Sequence, residues 1–169
     1  MDSQLAGLHD RRERYAKLIP HGGPMLRQLL VGAAVSVCNI AIHALVAATV
    51  VQILSRIARA NHPVQQSMRP TIVMIAMVSV VTVPVLMAAH FSEVLVWSLA
   101  YAIVGAAPAG ADPVYFAFVN YTTLGYGDVT PVARWRLLGP ITAMNGVLLF
   151  GWSTAVIFEV LRRITRHGD

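Results

Sequence analysis

Residues 28–55 (QLLVGAAVSVCNIAIHALVAATVVQILS) contain no charged side chain, and the 37 residues from Thr71 to Ala107 contain one carboxylate, Glu93, and no Lys or Arg. About 20 consecutive apolar residues suffice to cross a hydrocarbon core as a helix. Residues 137–160 form a third run of this kind. Charged residues make up only 12% of the 169, and hydrophobic ones 56%. A soluble domain carries about 25% charged residues, and one small core cannot bury so much apolar surface. Lipid is therefore the solvent, which excludes soluble enzymes, disordered tails and disulfide scaffolds. The single cysteine, Cys38, has no internal partner for a disulfide.

The net charge of +5 is distributed in short clusters between the apolar runs. Arg11, Arg12, Arg14, Lys17 and Arg27 precede the first, Arg56, Arg59 and Arg69 follow it, Arg134 and Arg136 precede the last, and Arg162, Arg163 and Arg166 follow it. Such flanking is the chemistry of membrane spans. A nucleic-acid surface would interleave aromatic residues with the charge, and only Tyr15 and Trp135 sit among these clusters. No nucleic-acid partner is expected.

The predicted organisation is a polar N-terminal tail (1–27), a first span (28–55), a long outer helix (71–107), a short apolar helix with its loop (113–128), a last span (137–160) and a basic tail (161–169). Ser3 and an Asp10–Arg14 pair suit a short helix in the N-terminal tail. The apolar run after it is too long for a signal peptide. The 37-residue run reads as one tilted helix, giving three spans. Two spans turning near His90–Glu93, giving four, are the alternative, and the distribution of Lys and Arg leans towards it. No nucleotide-binding or cytoplasmic sensor domain is expected after Asp169.

Between the short apolar helix and the last span stands Thr122-Thr123-Leu124-Gly125-Tyr126-Gly127-Asp128. This stretch resembles the selectivity filter of the potassium channel family, whose pattern is T-x-G-Y-G. The physics of the spacing is plain: a dehydrating K⁺ ion needs its water oxygens replaced by carbonyls. Aiming successive carbonyls at one axis requires alternating backbone handedness, which glycine adopts without a Cβ penalty.

The resemblance implies a homotetramer in the plasma membrane that conducts K⁺ passively, with no enzyme activity and no cofactor beyond the permeant ions. It implies K⁺ coordination by the backbone carbonyls of Thr123, Leu124, Gly125 and Tyr126, with Gly127 completing the filter. Thr122, Asp128, Tyr115 and Phe116 would support it, Tyr126 packing on the last two. Asp112-Pro113 reads as the start of the pore helix, whose C-terminal dipole faces the cation. Val119 stands where some relatives carry a glutamate.

In the last span, Gly146 and Gly151 suit either a gating hinge or close helix packing. Asn145 suits either a water-filled cavity or an interhelical hydrogen bond. Phe150, Thr154 and Phe158 share a helix face and are candidates for the inner constriction, and Glu159 is placed to pair with Arg162 or Arg163. His43, His90 and Glu93 are ionisable groups at membrane depth, which mark function by default. His90 and Glu93, three apart, are expected to pair, with pH sensing open. Trp97, Tyr101 and Trp135 are expected in the outer aromatic belt. The spans lack the regularly spaced arginines of a voltage sensor, so gating by voltage is expected to be weak.

Overall fold

The structure, a computed structural model, describes residues 23–60 and 72–165. They form α1 (Gly23–Ala60), α2 (Ile72–Val104), α3 (Pro113–Tyr121), a 3-10 turn (Ala133–Trp135) and α4 (Leu138–Thr165), with no strand among the described residues. α1, α2 and α4 provide three segments long and apolar enough to cross a membrane: Met25–Arg56, Ile75–Val104 and, with the preceding turn, Ala133–Arg163. The chain is an all-helical membrane protein. The helix expected between Ser3 and Arg14, the turn with Pro63 and Arg69, and Arg166 lie outside the described residues.

α2 is one helix of 33 residues and passes His90 and Glu93 without a break. Three long helices are therefore present where the charge distribution leaned towards four. The polar pair does not mark a turn because it points inward, where partners await it. At 1.5 Å per residue α2 is about 50 Å long, more than the hydrocarbon thickness of about 30 Å, so it tilts or reaches into the headgroups. It stops at Gly105, which adopts φ +63°. The Ala106 N–H donates to the Tyr101 carbonyl at 2.9 Å, the left-handed cap that glycine allows.

Each long helix buries one stripe at spacings of three and four. On α1 it holds Gln28, Gly32, Asn39, His43, Ala47 and Val50. On α2 it holds Thr82, Leu86, Glu93, Trp97 and Tyr101, and on α4 Thr142, Asn145, Leu149, Ser153, Val156 and Val160. Lipid is as apolar as leucine, so association depends on close packing and on interhelical hydrogen bonds. Both are present. A Cβ on Gly32 would lie 2.8 Å from Ile141, so α1 and α4 approach closely there. Asn39 on α1 donates to the Glu93 carbonyl (3.2 Å) and to Asn145 Oδ1 (3.1 Å), which also accepts from Trp97 Nε1 (3.0 Å).

That last bond corrects the aromatic belt. Trp97 and Tyr101 are fully buried, and the Tyr101 hydroxyl meets Thr142 Oγ1 at 2.6 Å. Trp135 is buried too, with the Arg27 guanidinium 5.0 Å from its ring centre. Apart from His90 and Glu93, α2 is apolar on nearly every side, so its sequence carries little further signal for which face turns inward. At the far end Glu159 pairs with both Arg162 and Arg163, and Arg163 reaches Ser55 on α1 at 2.7 Å.

Candidate functional site

α3 is a nine-residue helix that begins as its sequence dictates. Asp112 caps it, Oδ1 accepting from the Val114 N–H at 2.8 Å, and Pro113 takes the first helical position. At about 14 Å it cannot cross a membrane. Phe116, Ala117, Val119 and Tyr121 are buried, with Phe116 against Tyr101 at 4.8 Å between ring centres. Phe116 thus anchors α3 to α2. Tyr115 does something different: its hydroxyl donates to Asp128 Oδ2 at 2.6 Å, joining the first turn of α3 to the far end of the following loop.

The loop is wound off the end of α3. The amides of Thr122 and Thr123 donate to the carbonyls of Phe118 and Asn120, and those of Leu124 and Gly125 both donate to Val119 (3.0 and 3.3 Å). Buried Val119, apolar in its side chain, therefore acts through its backbone. Thr123, Gly125 and Gly127 have positive φ (61°, 54° and 80°), and no positive φ falls on Leu124 or Tyr126 between them. The backbone alternates in hand. Within the described residues none of the carbonyls of Thr123, Leu124, Gly125 or Tyr126 accepts a hydrogen bond. Residues 122–128 are all exposed, including apolar Leu124 (52%) and Tyr126 (68%). The loop is held by the N–H groups of residues 122–125 at one end and by Asp128 at the other, while its carbonyls and apolar side chains remain uncovered.

Asp128 is held below the usual aspartate range, chiefly by the Tyr115 hydroxyl and also by backbone N–H groups, against a smaller opposing effect of desolvation. The Tyr115 phenol is pushed up by the same bond. A carboxyl whose folded-state pKa is depressed contributes stability above its unfolded value, about 3.9, and loses it as pH falls through the folded value. Tyr115→Phe should therefore return Asp128 towards the ordinary aspartate pKa. NMR titration of the carboxyl carbon reads this directly, and an unmoved Asp128 would show that the bond does not govern it.

Behind the loop, Gly146 on α4 touches the end of α3 so closely that a Cβ would lie 2.0 Å from the Tyr121 carbonyl oxygen. Gly146 is a packing position. At Gly151 a Cβ would meet nothing within 4 Å. Asn145 makes the interhelical hydrogen bond of the two roles open to it. Phe150, Thr154 and Phe158 lie on the exposed side of α4, with Phe150 also against the rings of His90 (4.6 Å) and Tyr121 (5.4 Å).

The expected His90–Glu93 pair exists, Nδ1 to Oε2 at 3.1 Å. It is part of something larger. His43, 50 residues away on α1, places Nδ1 2.9 Å from Glu93 Oε1, and the Tyr121 hydroxyl donates to Glu93 Oε2. Neither His43 nor Tyr121 is foreseeable as a partner from spacing. The available signal is energetic: isolated ionisable groups at membrane depth are costly and almost always face one another.

Residues 89–163 match the family model described as ion channel. That segment is similar to ion channels. It comprises most of the buried polar residues of α2, all of α3, the loop and nearly all of α4. Helix α1 lies outside the matched segment, yet it docks on that segment through Gln28, Asn39 and His43, with Gln28 Oε1 accepting from the Leu137 N–H at 2.8 Å. Searches of the curated proteins and of the solved structures returned no significant match.

Proposed function

We propose that the chain is one subunit of a homotetrameric, K⁺-selective channel of the plasma membrane, in which α3 is a re-entrant pore helix and residues 122–128 form the filter. The observation that carries this reading is the alternating hand of the loop backbone together with four successive carbonyls left without donors. Carbonyls in that state can replace the water shell of a cation. One loop presents one quarter of each coordination ring, so four copies must surround the axis. The uncovered side chains of Leu124 and Tyr126 agree with this, because neighbouring copies would bury them.

In such an assembly the carbonyls of Thr123, Leu124, Gly125 and Tyr126 hold K⁺, and Gly127 and Asp128 lead to the mouth. Thr122 closes the pore-helix end through its hydroxyl, which donates to the Phe118 carbonyl at 2.7 Å. Thr154 and Phe158 face the inner path, and Gly151, with open space beside it, is the better candidate for a hinge. Conduction is passive and uses no cofactor.

The purified chain should have the mass of a tetramer in detergent. Reconstituted alone into liposomes, it should take up K⁺ down its gradient. A protein that remains monomeric, or needs a second polypeptide before any flux is seen, would contradict the reading and favour an accessory subunit.

A further inference from the structure

We propose that His43, His90, Glu93, Tyr121 and Ser153 form a closed ring of hydrogen bonds that binds exchangeable protons, and that adding one proton to the ring shuts the pore. The gating half of this rests on residues 122–128 being the filter.

The ring can be walked atom by atom. His43 Nδ1 meets Glu93 Oε1 at 2.9 Å, and Glu93 Oε2 meets the Tyr121 hydroxyl. That hydroxyl meets His90 Nδ1 at 2.9 Å, and His90 Nε2 meets Ser153 Oγ at 2.8 Å. Ser153 Oγ returns to His43 Nε2 at 3.3 Å. All four helices contribute and all five residues are buried. The titratable groups facing the ring are His43 from α1, His90 and Glu93 from α2, and Tyr121 from α3. α4 presents no titratable group to it, only the Ser153 hydroxyl, with the Trp152 ring beside His43 at 5.5 Å.

Each of the five contacts around the ring needs one hydrogen between two heavy atoms, and a sixth contact, His90 Nδ1 to Glu93 Oε2 at 3.1 Å, runs across it. The inventory of donors matches when the five groups together carry five protons. Glu93 as a carboxylic acid donates through Oε1 to His43 Nδ1, His43 Nε2–H to Ser153, Ser153 to His90 Nε2, His90 Nδ1–H to Tyr121, and Tyr121 to Glu93 Oε2. The form in which Glu93 is ionised and one histidine is an imidazolium is equally satisfied. Both carry five protons and no net charge, and they differ only in where the hydrogens sit. With six protons both histidines are imidazolium and donate to Ser153, whose own hydrogen turns out of the ring, and the ring carries a net positive charge.

A hydrogen bond left unmade in a buried site costs far more than in water, and charge is felt strongly there. The sixth proton therefore does two things. It turns the Ser153 hydrogen out of the ring, changing the contacts that hold α4 to α1 and α2. It also sets a positive charge behind a path for cations. Both effects act against conduction, so acid should close the pore.

His43, His90 and Glu93 also offer ligand atoms that lie within 4.8 Å of one another, which raises a transition-metal ion as a rival occupant. The complete circuit of hydrogen bonds favours protons, since every ring atom already has a partner.

The test uses the full chain in liposomes with the same pH on both sides. K⁺ flux should fall about five-fold or more between roughly pH 7.5 and 5.5, where histidine titrates. The His43→Gln/His90→Gln double variant should be flat over that range. Replacing His9, His21, His62 and His167 instead should leave the response in place. Ser153→Ala, a smaller change that keeps both histidines, should displace the midpoint.

A second readout does not need conduction: nitrogen NMR of histidine side chains should show His43 and His90 titrating with one shared midpoint. Independent midpoints, an unchanged response in the double variant or an unmoved midpoint in Ser153→Ala would overturn the ring. Coupled titration with no pH effect on a conducting protein would overturn its gating role. Coupled titration in a protein that passes no K⁺ would instead overturn the channel reading, and with it the gating half. Zn²⁺ retained through purification by His43 and His90 would overturn the proton assignment in favour of a metal centre.

Discussion

Gly146→Ala should destabilise the protein by about 1–3 kcal/mol or more, the range of overpacked sites, and should abolish conduction with it. The added methyl would lie 2.0 Å from the Tyr121 oxygen and 3.0 Å from its carbonyl carbon. These are backbone atoms at the end of α3, so no rotamer change relieves the clash. α3 must move away from α4, taking the loop with it. Gly151→Ala, five residues on in the same helix, meets nothing within 4 Å. It should be neutral or gain up to about 1 kcal/mol from helix propensity. Thermal unfolding of the two variants in detergent separates them. Equal behaviour would mean that α3 and α4 do not meet as described.

Gly125→Ala should abolish discrimination between K⁺ and Na⁺ while leaving the subunits assembled. There is room for the methyl within one chain, the nearest atom being the Thr123 oxygen at 3.9 Å. The cost is in the backbone. An L-residue at φ +54° is strained by about 1–2 kcal/mol, and a tetramer repeats that strain four times around one axis. Relaxing it turns a carbonyl off the axis. Gly110→Ala is the control, since Gly110 also has positive φ (+82°) and open space but lies in the turn before α3. It should carry comparable strain and leave selectivity intact. Loss of selectivity in both variants would point to general destabilisation.

Much of this architecture is legible without coordinates, and the reason differs from part to part. The long helices follow from runs without charge, because in lipid length and apolarity decide the matter. The start of α3 follows from Asp112-Pro113, a local signal, and the loop from Thr-x-Gly-Tyr-Gly. What pattern could not supply is orientation. Trp97 and Tyr101 look like interfacial anchors by composition and are instead buried, because their polar atoms find Asn145 and Thr142 inside. The charge distribution leaned towards a turn at His90–Glu93 because a polar pair in an apolar run has two explanations, and only the partners on α1, α3 and α4 distinguish them. His43 belongs to that group through a contact 50 residues distant in sequence, which no periodicity encodes.

Selection of K⁺ by residues 122–128 can be read as a voltage. The most direct measurement is the reversal potential of the purified, reconstituted chain with K⁺ on one side of a bilayer and Na⁺ on the other. The reversal potential should lie far from zero, with the sign of K⁺ leaving its own compartment, and should collapse towards zero in Gly125→Ala. A current from the native chain that reverses near zero would contradict it, leaving an ion channel whose loop admits both cations.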